Sequence, residues 1–212
     1  MLHIKAFTFN PFQENTYLLY DDTKECIIID PGCYTDAERN TLVKFITDNQ
    51  LKPVKLINTH CHIDHVLGNK FIAEHYDLVL EMHEADLPTL LAVPSYAGTF
   101  GIEAAPSPEP GLYLEEGDIV KFGNTELKVL FTPGHSAGSI SFYSEVDETV
   151  IVGDVLFMQS IGRTDLPGGD YDTLIKSIQT KLFTLPDVTK VYPGHGPATA
   201  IGLEKMNNPF FR

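Results

Sequence analysis

Three of the eight histidines, His60, His62 and His65, fall within six residues in the run Thr59-His60-Cys61-His62-Ile63-Asp64-His65. Imidazole suits zinc and iron, and a carboxylate can bridge two metals through its two oxygens. Residues two apart on an extended segment project to the same side, so His60 and His62 can serve one metal. Asp64 and His65 then fall at the first turn of a following helix and reach a neighbouring position. Four such ligands from six residues exceed what one metal needs and suit two. The plain alternative is a solvated, histidine-rich turn. That plain reading is retained for His3, His75 and His83, which stand apart from the run.

Three further candidates lie far away in sequence but in the same kind of place. His135 follows the apolar run VLF in Thr-Pro-Gly-His, Asp154 follows VIVG, and His195 follows KVY in Pro-Gly-His-Gly. With LIN before the His60 run, four strand-like segments each end directly before a ligand type. Strand ends on one sheet edge are where open α/β folds place their chemistry, so these four sites are expected to converge.

The elements that must position them follow from the patterning. HIKAFTF, NTYLLYD and ECIIIDPG read as successive strands, and residues 35–50 as a helix after the capping candidate Thr35. VKLIN reads as a strand, and Val66, Leu67, Phe71 and Ile72 suit a helix from Asp64 to Glu74. Residues 94–111 are rich in Pro, Gly, Ser and Ala and read as a long surface loop. GDIVKFG, TELKVLFTPG, SISFYSE and ETVIVGDVLF are then strands, residues 170–183 a helix, and VTKVYPG a last short strand. Two β-rich halves, each closed by helices, imply two packed sheets with helices outside.

Composition narrows the function classes. The chain has 212 residues, 43% of them hydrophobic, enough for a sizeable core rather than a disordered chain. With 29 acidic against 15 basic residues, the formal charge of −14 argues against a nucleic-acid binder and against anionic membranes. No apolar stretch is long enough to span a membrane, and MLHIKAFTFNPF does not resemble a signal peptide, so a cytoplasmic location is expected. Cys26, Cys33 and Cys61 are expected as free thiols. Cys61 lies between two ligand candidates, where alternation along an extended segment turns it away from the metals and favours a buried thiol. Ser139 lacks a Gly-x-Ser-x-Gly elbow, which disfavours a serine hydrolase.

The ordered set of Asp30, the His60–His65 run, His135, Asp154 and His195 resembles the metallo-β-lactamase superfamily over nearly the whole chain. The resemblance implies a single domain over residues 1–212 with a four-layer αββα sandwich and a metal site at one edge of its two sheets. It also implies a ligand set: His60, His62 and His135 for one metal, Asp64, His65 and His195 for the second, and Asp154 bridging. Asp30 matches a position that supports the ligand loops. Within the superfamily the chain is most similar to the glyoxalase II group. The matching segments are Asn10-Pro-Phe-Gln-Glu-Asn-Thr-Tyr17, the loop Gly162-Arg-Thr-Asp-Leu-Pro-Gly-Gly-Asp170, and the tail Gly194-His-Gly-Pro followed by Asn208-Pro. The eukaryotic type of that group carries a further C-terminal helical domain that helps bind glutathione, which residues 196–212 do not match.

The expected function is hydrolysis by two divalent metal ions, zinc or else iron or manganese, that share and acidify a water. One zinc already brings bound water to a pKa of about 7. A thiolate, with a thiol pKa of about 8.5, leaves without much protonation, so a thioester of the 2-hydroxyacyl-glutathione type suits the site. An amide would need a proton donor that the sequence does not display. Asp64 is read as a ligand in preference to a proton acceptor. Arg163 is a candidate for a substrate carboxylate, with a bracing contact to Asp165 the preferred reading. The alternatives are a persulfide dioxygenase with one iron on His60, His135 and Asp154, and a metal-binding protein without catalysis.

Overall fold

The computed structural model describes residues 1–212, which divide into two compact units. The first comprises Met1–Leu114 with Lys121–Thr125, the second Glu115–Val120 with Glu126–Arg212.

In the first unit β1 (His3–Phe9), β2 (Glu14–Tyr20), β3 (Glu25–Ile29) and β4 (Lys52–Ile57) follow the expected strands. With β5 (Leu80–Met82) and β6 (Pro110–Tyr113) they form one mixed sheet in the order β1-β2-β3-β4-β5-β6. β1, β2 and β3 pair antiparallel, and β3 through β6 pair parallel. Cys26, Ile27, Ile28 and Ile29 are all buried, as the unbroken apolar run of a central strand covered on both faces requires. Between β3 and β4 runs α1 (Asp36–Asp48). It opens on a capping box in which the Thr35 hydroxyl accepts from the Glu38 N–H while the Glu38 carboxylate accepts from the Thr35 N–H.

Two expected elements differ. The helix read from Asp64 to Glu74 is two pieces, α2 (Ile63–Val66) and α3 (Asn69–Tyr76). The Gly68 N–H leaves the helix to donate to the Pro31 carbonyl at 2.6 Å. A Cβ at Gly68 would lie 2.5 Å from Cys33 Sγ, so the break lets this turn close on the loop after β3. The loop read over residues 94–111 is also shorter. α4 (Leu87–Tyr96) runs through Pro94, and a 3₁₀ turn continues it over Ala97–Phe100. Leu90, Val93 and Ala97 form a buried stripe along this helix and its continuation, and that packing holds the helix through Pro94, which cannot donate to the Leu90 carbonyl. Ile102 is buried, whereas Phe100 is exposed and meets Phe12 edge-on at 5.5 Å.

The second sheet, most of it in the second unit, has β7 (Ile119–Phe122) at one edge, then β8 (Thr125–Phe131), β9 (Ile140–Ser144) and β10 (Thr149–Gly153). A two-stranded hairpin of β11 (Leu156–Phe157) and β12 (Ser160–Ile161) follows. After α5 (Tyr171–Ser177) come β13 (Lys190–Pro193), β14 (Thr199–Ala200) and α6 (Ile201–Asn207). The sheet order is β14-β13-β10-β9-β8-β7, again mixed, because β10 and β13 pair parallel. β8 alternates Leu127 and Val129 inward with Glu126 and Lys128 outward, whereas β9 and β10 are buried throughout. The expected helix over 170–183 is α5 plus a π turn at Ile178–Leu182, capped by the Asp170 carboxylate on the Thr173 N–H.

Candidate metal centre

In the first unit the site is built at the ends of β3 and β4, which run parallel and so release their chains at the same edge. Asp30 follows β3 at a φ of 50°, with its N–H on the Ile57 carbonyl at 2.9 Å. Its side chain is buried and fully used. Oδ1 accepts the Thr59 N–H at 2.7 Å, while Oδ2 accepts the Thr59 hydroxyl at 2.6 Å and lies 3.0 Å from His65 Nδ1. His60 Nδ1 is 3.1 Å from the Thr59 hydroxyl oxygen. That hydroxyl spends its own proton on Asp30, so it accepts from His60. Both imidazoles therefore carry their proton on Nδ1 and present the Nε2 lone pair, the tautomer a metal ligand needs.

His62 precedes α2, and its ring stands perpendicular to that of His60 at 4.8 Å between centroids. His60 and His65 are 4.1 Å apart by the same measure. The ligand-type atoms of Asp30, His60 and His65 lie within 4.8 Å of one another. Asp64 Oδ2 is 3.6 Å from His65 Nε2.

In the second unit β8 and β10 are both antiparallel to β9 and β13 is parallel to β10, so β8, β10 and β13 all end at one edge. His135, Asp154 and His195 follow them and meet there. His135 Nε2 lies 3.6 Å and His195 Nε2 3.5 Å from the same oxygen, Asp154 Oδ2. His135 Nδ1 is 2.7 Å from the Arg163 carbonyl, an obligate acceptor, which fixes the proton on Nδ1 and leaves Nε2 as the donor atom. Two glycines permit this packing. Gly134 has a φ of 128°, and a Cβ there would meet the Leu174 backbone N at 2.2 Å. At Gly162 a Cβ would lie 1.9 Å from the Asp154 carbonyl oxygen and 3.0 Å from His135 Nδ1.

These spacings test whether the residues fit metal ions. The Asp64–His65, His135–Asp154 and His195–Asp154 distances of 3.5–3.6 Å are too long for good hydrogen bonds. Donors about 2.1 Å from one tetrahedral ion stand about 3.4 Å from each other. The nitrogen and carboxylate donor set, the Nδ1 tautomers and the spacing all fit.

Other residues from the sequence reading fall as follows. Cys61 is buried, its Sγ 3.6 Å from the Met82 sulfur and its N–H on Asp86 Oδ2 at 2.6 Å. Burial first, then the Asp86 and Asp30 charges, pushes its thiol well above the ordinary range. Native protein is therefore expected to resist iodoacetamide at Cys61 at pH 8, and unfolded protein to be labelled; mass spectrometry of the modified peptides checks this. All three cysteines are free. His83 caps a 3₁₀ turn, its Nδ1 accepting the Ala85 N–H. The Arg163 guanidinium makes a bidentate pair with Asp165 at 2.7 Å for both bonds, which holds the Asp165 carboxyl down at about 2.

Three supporting residues had no role in the sequence reading. Asn10 donates from Nδ2 to the Gly32 and Asp64 carbonyls at 3.0 and 2.9 Å, fastening α2 to the loop after β3. Asn58 donates to the His65 carbonyl at 3.1 Å, and Asp86 holds Cys61. The only signal was position, Asn10 opening one of the family-like segments and Asn58 directly following β4. Glu14, in the same segment as Asn10, is completely buried beside Asp30, Asp64 and His65, and burial raises its carboxyl well above 4.5. The fold then keeps a proton that the unfolded chain releases above about pH 4.5, so this contribution to stability is full below that pH and is lost as pH rises towards the folded value. Glu14→Gln keeps the shape and removes the titration. Its metal-free form is expected to be more stable than wild type by about 1–3 kcal/mol at pH 8 and near-equal at pH 4. Urea unfolding at both pH values checks this.

Comparison with known proteins agrees with this architecture. Residues 9–195 match the family model of the metallo-beta-lactamase superfamily. The chain is 38% identical to the hydroxyacylglutathione hydrolase GloC of Haemophilus influenzae over 99% of this chain and 98% of that protein. The chain belongs to the metallo-β-lactamase superfamily. Among solved structures it superimposes on the B3 metallo-β-lactamase BLEG-1 with a TM-score of 0.90 at 36% identity, covering 99% of both chains. It superimposes on TTHA1623 in a di-iron-bound form with a TM-score of 0.88 at 38% identity, covering 97% of this chain and 99% of that one. The fold is thus the metallo-β-lactamase fold, two mixed sheets flanked by helices, and the chain is a member of a metallo-hydrolase family whose fold binds divalent metals. No helix is long and apolar enough to cross a membrane.

Proposed function

We propose that this protein is a binuclear metal-dependent thioester hydrolase acting on S-2-hydroxyacyl-glutathione or a closely similar small molecule. The observation that carries the reading is end-to-end similarity to a hydroxyacylglutathione hydrolase, joined to a donor set at metal-ligand spacing. His60, His62 and His135 would hold one ion and Asp64, His65 and His195 the other, with Asp154 shared and Asp30 bracing His65 and Thr59. When bound, the ions supply an acidified water and a Lewis acid for the carbonyl oxygen. Zinc is the first choice of metal, and iron is supported by the di-iron relative.

The residues do the rest. The Nδ1 contacts of His60, His65 and His135 orient the rings and leave Nε2 as the atom each would offer to an ion. No side-chain nucleophile is called for, and Cys61 faces the core. Asp64 serves as a ligand. Arg163 remains the candidate for a substrate carboxylate. In that role Arg163→Ala raises KM several-fold with kcat unchanged, whereas a purely bracing pair leaves KM alone.

The deciding assay is hydrolysis of S-D-lactoylglutathione by protein loaded with zinc, iron or manganese. Turnover no greater than that of a His60→Ala control would sink the reading. Likeness to BLEG-1 favours a second reading, β-lactam hydrolysis at the same residues, and nitrocefin turnover without thioester turnover would select it. One iron per chain, with oxygen uptake on glutathione persulfide, would instead select the dioxygenase.

A further inference from the structure

A buried acid ties the C-terminal helix to the hairpin that touches the second unit's metal-ligand residues. Glu204 on α6 is 1% exposed and accepts three hydrogen bonds. Oε1 takes the Thr199 hydroxyl at 2.6 Å, and Oε2 takes both the Gln159 N–H and Asn208 Nδ2 at 2.9 Å. Asn208 Nδ2 also donates to the Ser160 carbonyl at 3.0 Å. Both residues thus hold the tip of the β11–β12 hairpin, where Phe157 pairs with Ser160 across Met158 and Gln159. Gln159 has a φ of 57°, a left-handed conformation that a side-chain-bearing residue keeps only when its surroundings impose it. Its N–H on Glu204 is such an imposition.

The flanks of that hairpin meet all three ligand-type residues of the unit. The Phe157 ring stands edge-on to His195 at 6.4 Å. Gly162, directly after β12, lies against the Asp154 carbonyl, and the next carbonyl, that of Arg163, holds His135 Nδ1. α6 is itself anchored, with the Gly202 N–H on the Asp187 carbonyl at 2.9 Å and Lys205 Nζ on the Asp187 carboxylate at 2.6 Å. The chain from Asp187 through Glu204 to Gln159 is therefore a continuous brace.

We propose that Glu204, seconded by Asn208, is a positioning residue for the metal centre, setting the hairpin that orients His135, Asp154 and His195. The inference rests on the reading that those three residues hold metal, and it extends that reading to the tail after β14. Groups that orient metal ligands change metal affinity by about 10–100-fold when removed. A residue that only fastens α6 would change the melting temperature and nothing at the ions.

The test uses full-length wild type, Glu204→Ala, Glu204→Gln and Asn208→Ala. A glutamine can turn its carbonyl oxygen to Gln159 and Asn208 and its amide to Thr199, whose hydroxyl can accept instead of donate, so it meets every partner. Zinc affinity is measured by competition with a chromophoric chelator, and ligand geometry by the visible spectrum of the cobalt(II)-loaded protein. Circular dichroism of the metal-free state checks folding. Glu204→Ala is expected to bind zinc about 10–100-fold more weakly with a changed cobalt spectrum. Asn208→Ala should move the same way by less, and Glu204→Gln should stay near wild type. A folded Glu204→Ala with wild-type zinc affinity and cobalt spectrum overturns the proposal. If that variant fails to fold, the same wild-type readings from Asn208→Ala overturn it. Wild type that binds two ions but leaves S-D-lactoylglutathione intact overturns the thioesterase reading and not this one, and wild type that binds no divalent ion overturns both.

Discussion

Asp154→Asn is expected to lower turnover by about three orders of magnitude and to reduce the metal held per chain, with little change in the fold. One oxygen of this side chain, Oδ2, stands 3.6 Å from His135 Nε2 and 3.5 Å from His195 Nε2, so a single group faces both imidazoles. Asparagine preserves its volume but removes the charge that would balance cations and offers an amide nitrogen where a donor oxygen is needed. Losing one preorganised electrostatic group at a reacting centre typically costs about 10²–10³ in rate, and in the shared role proposed for Asp154 the loss would reach both ions at once. Elemental analysis of the purified variant, with thioester turnover at saturating metal, checks the expectation. Full metal content with wild-type turnover would show that Asp154 is not a ligand.

Gly162→Ala should be nearly as damaging, although the residue bears no functional group. Its added methyl would sit 1.9 Å from the Asp154 carbonyl oxygen, a backbone atom that can move only by shifting β10's end or the hairpin. Overpacking of this kind costs about 1–3 kcal/mol. Here the displaced atoms belong to Asp154 and to the stretch whose carbonyl holds His135, so metal affinity should fall by about 10–100-fold together with the melting temperature. Chelator competition and thermal unfolding, with and without zinc, separate the two effects. A variant that melts like wild type in both states would show that the hairpin gives way freely, against the close packing described here.

Much of this was legible beforehand because it is local. Unbroken or alternating apolar runs marked β1 through β4 and β7 through β10, and Thr35 marked the start of α1. The short elements were not legible. β5, β14 and α6 span two to seven residues, too few for a period to show, and β6 begins within the last residues of the stretch read as loop. The end of α4 was hidden by Pro94, because a proline that a helix runs through looks the same in sequence as one that ends it.

The family-like segments show the same division. Asn10-Pro-Phe-Gln-Glu-Asn was recognisable as a pattern, but its work is done 54 residues away, where Asn10 holds the Asp64 carbonyl. The Gly162-Arg-Thr-Asp loop drew attention to the Arg163 guanidinium. In the fold it is the Arg163 carbonyl that holds His135, while the guanidinium pairs with Asp165. A backbone carbonyl is present at every residue, so no reading of side chains could have singled that one out.

What the amino-acid order determined alone is the chemistry available: imidazoles and carboxylates at strand ends, in a strongly acidic chain whose apolar periodicities dictate where most strands lie. What only the tertiary structure decided is which nitrogen of His60, His65 and His135 faces outward, where the chain breaks at Gly68, and which glycines must stay bare. Each of those depends on a partner distant along the chain, such as Asp30 for His65, Pro31 for Gly68 and Asp154 for Gly162. Periodicity reports a residue's neighbours in sequence, whereas hydrogen bonds and steric limits act between neighbours in space.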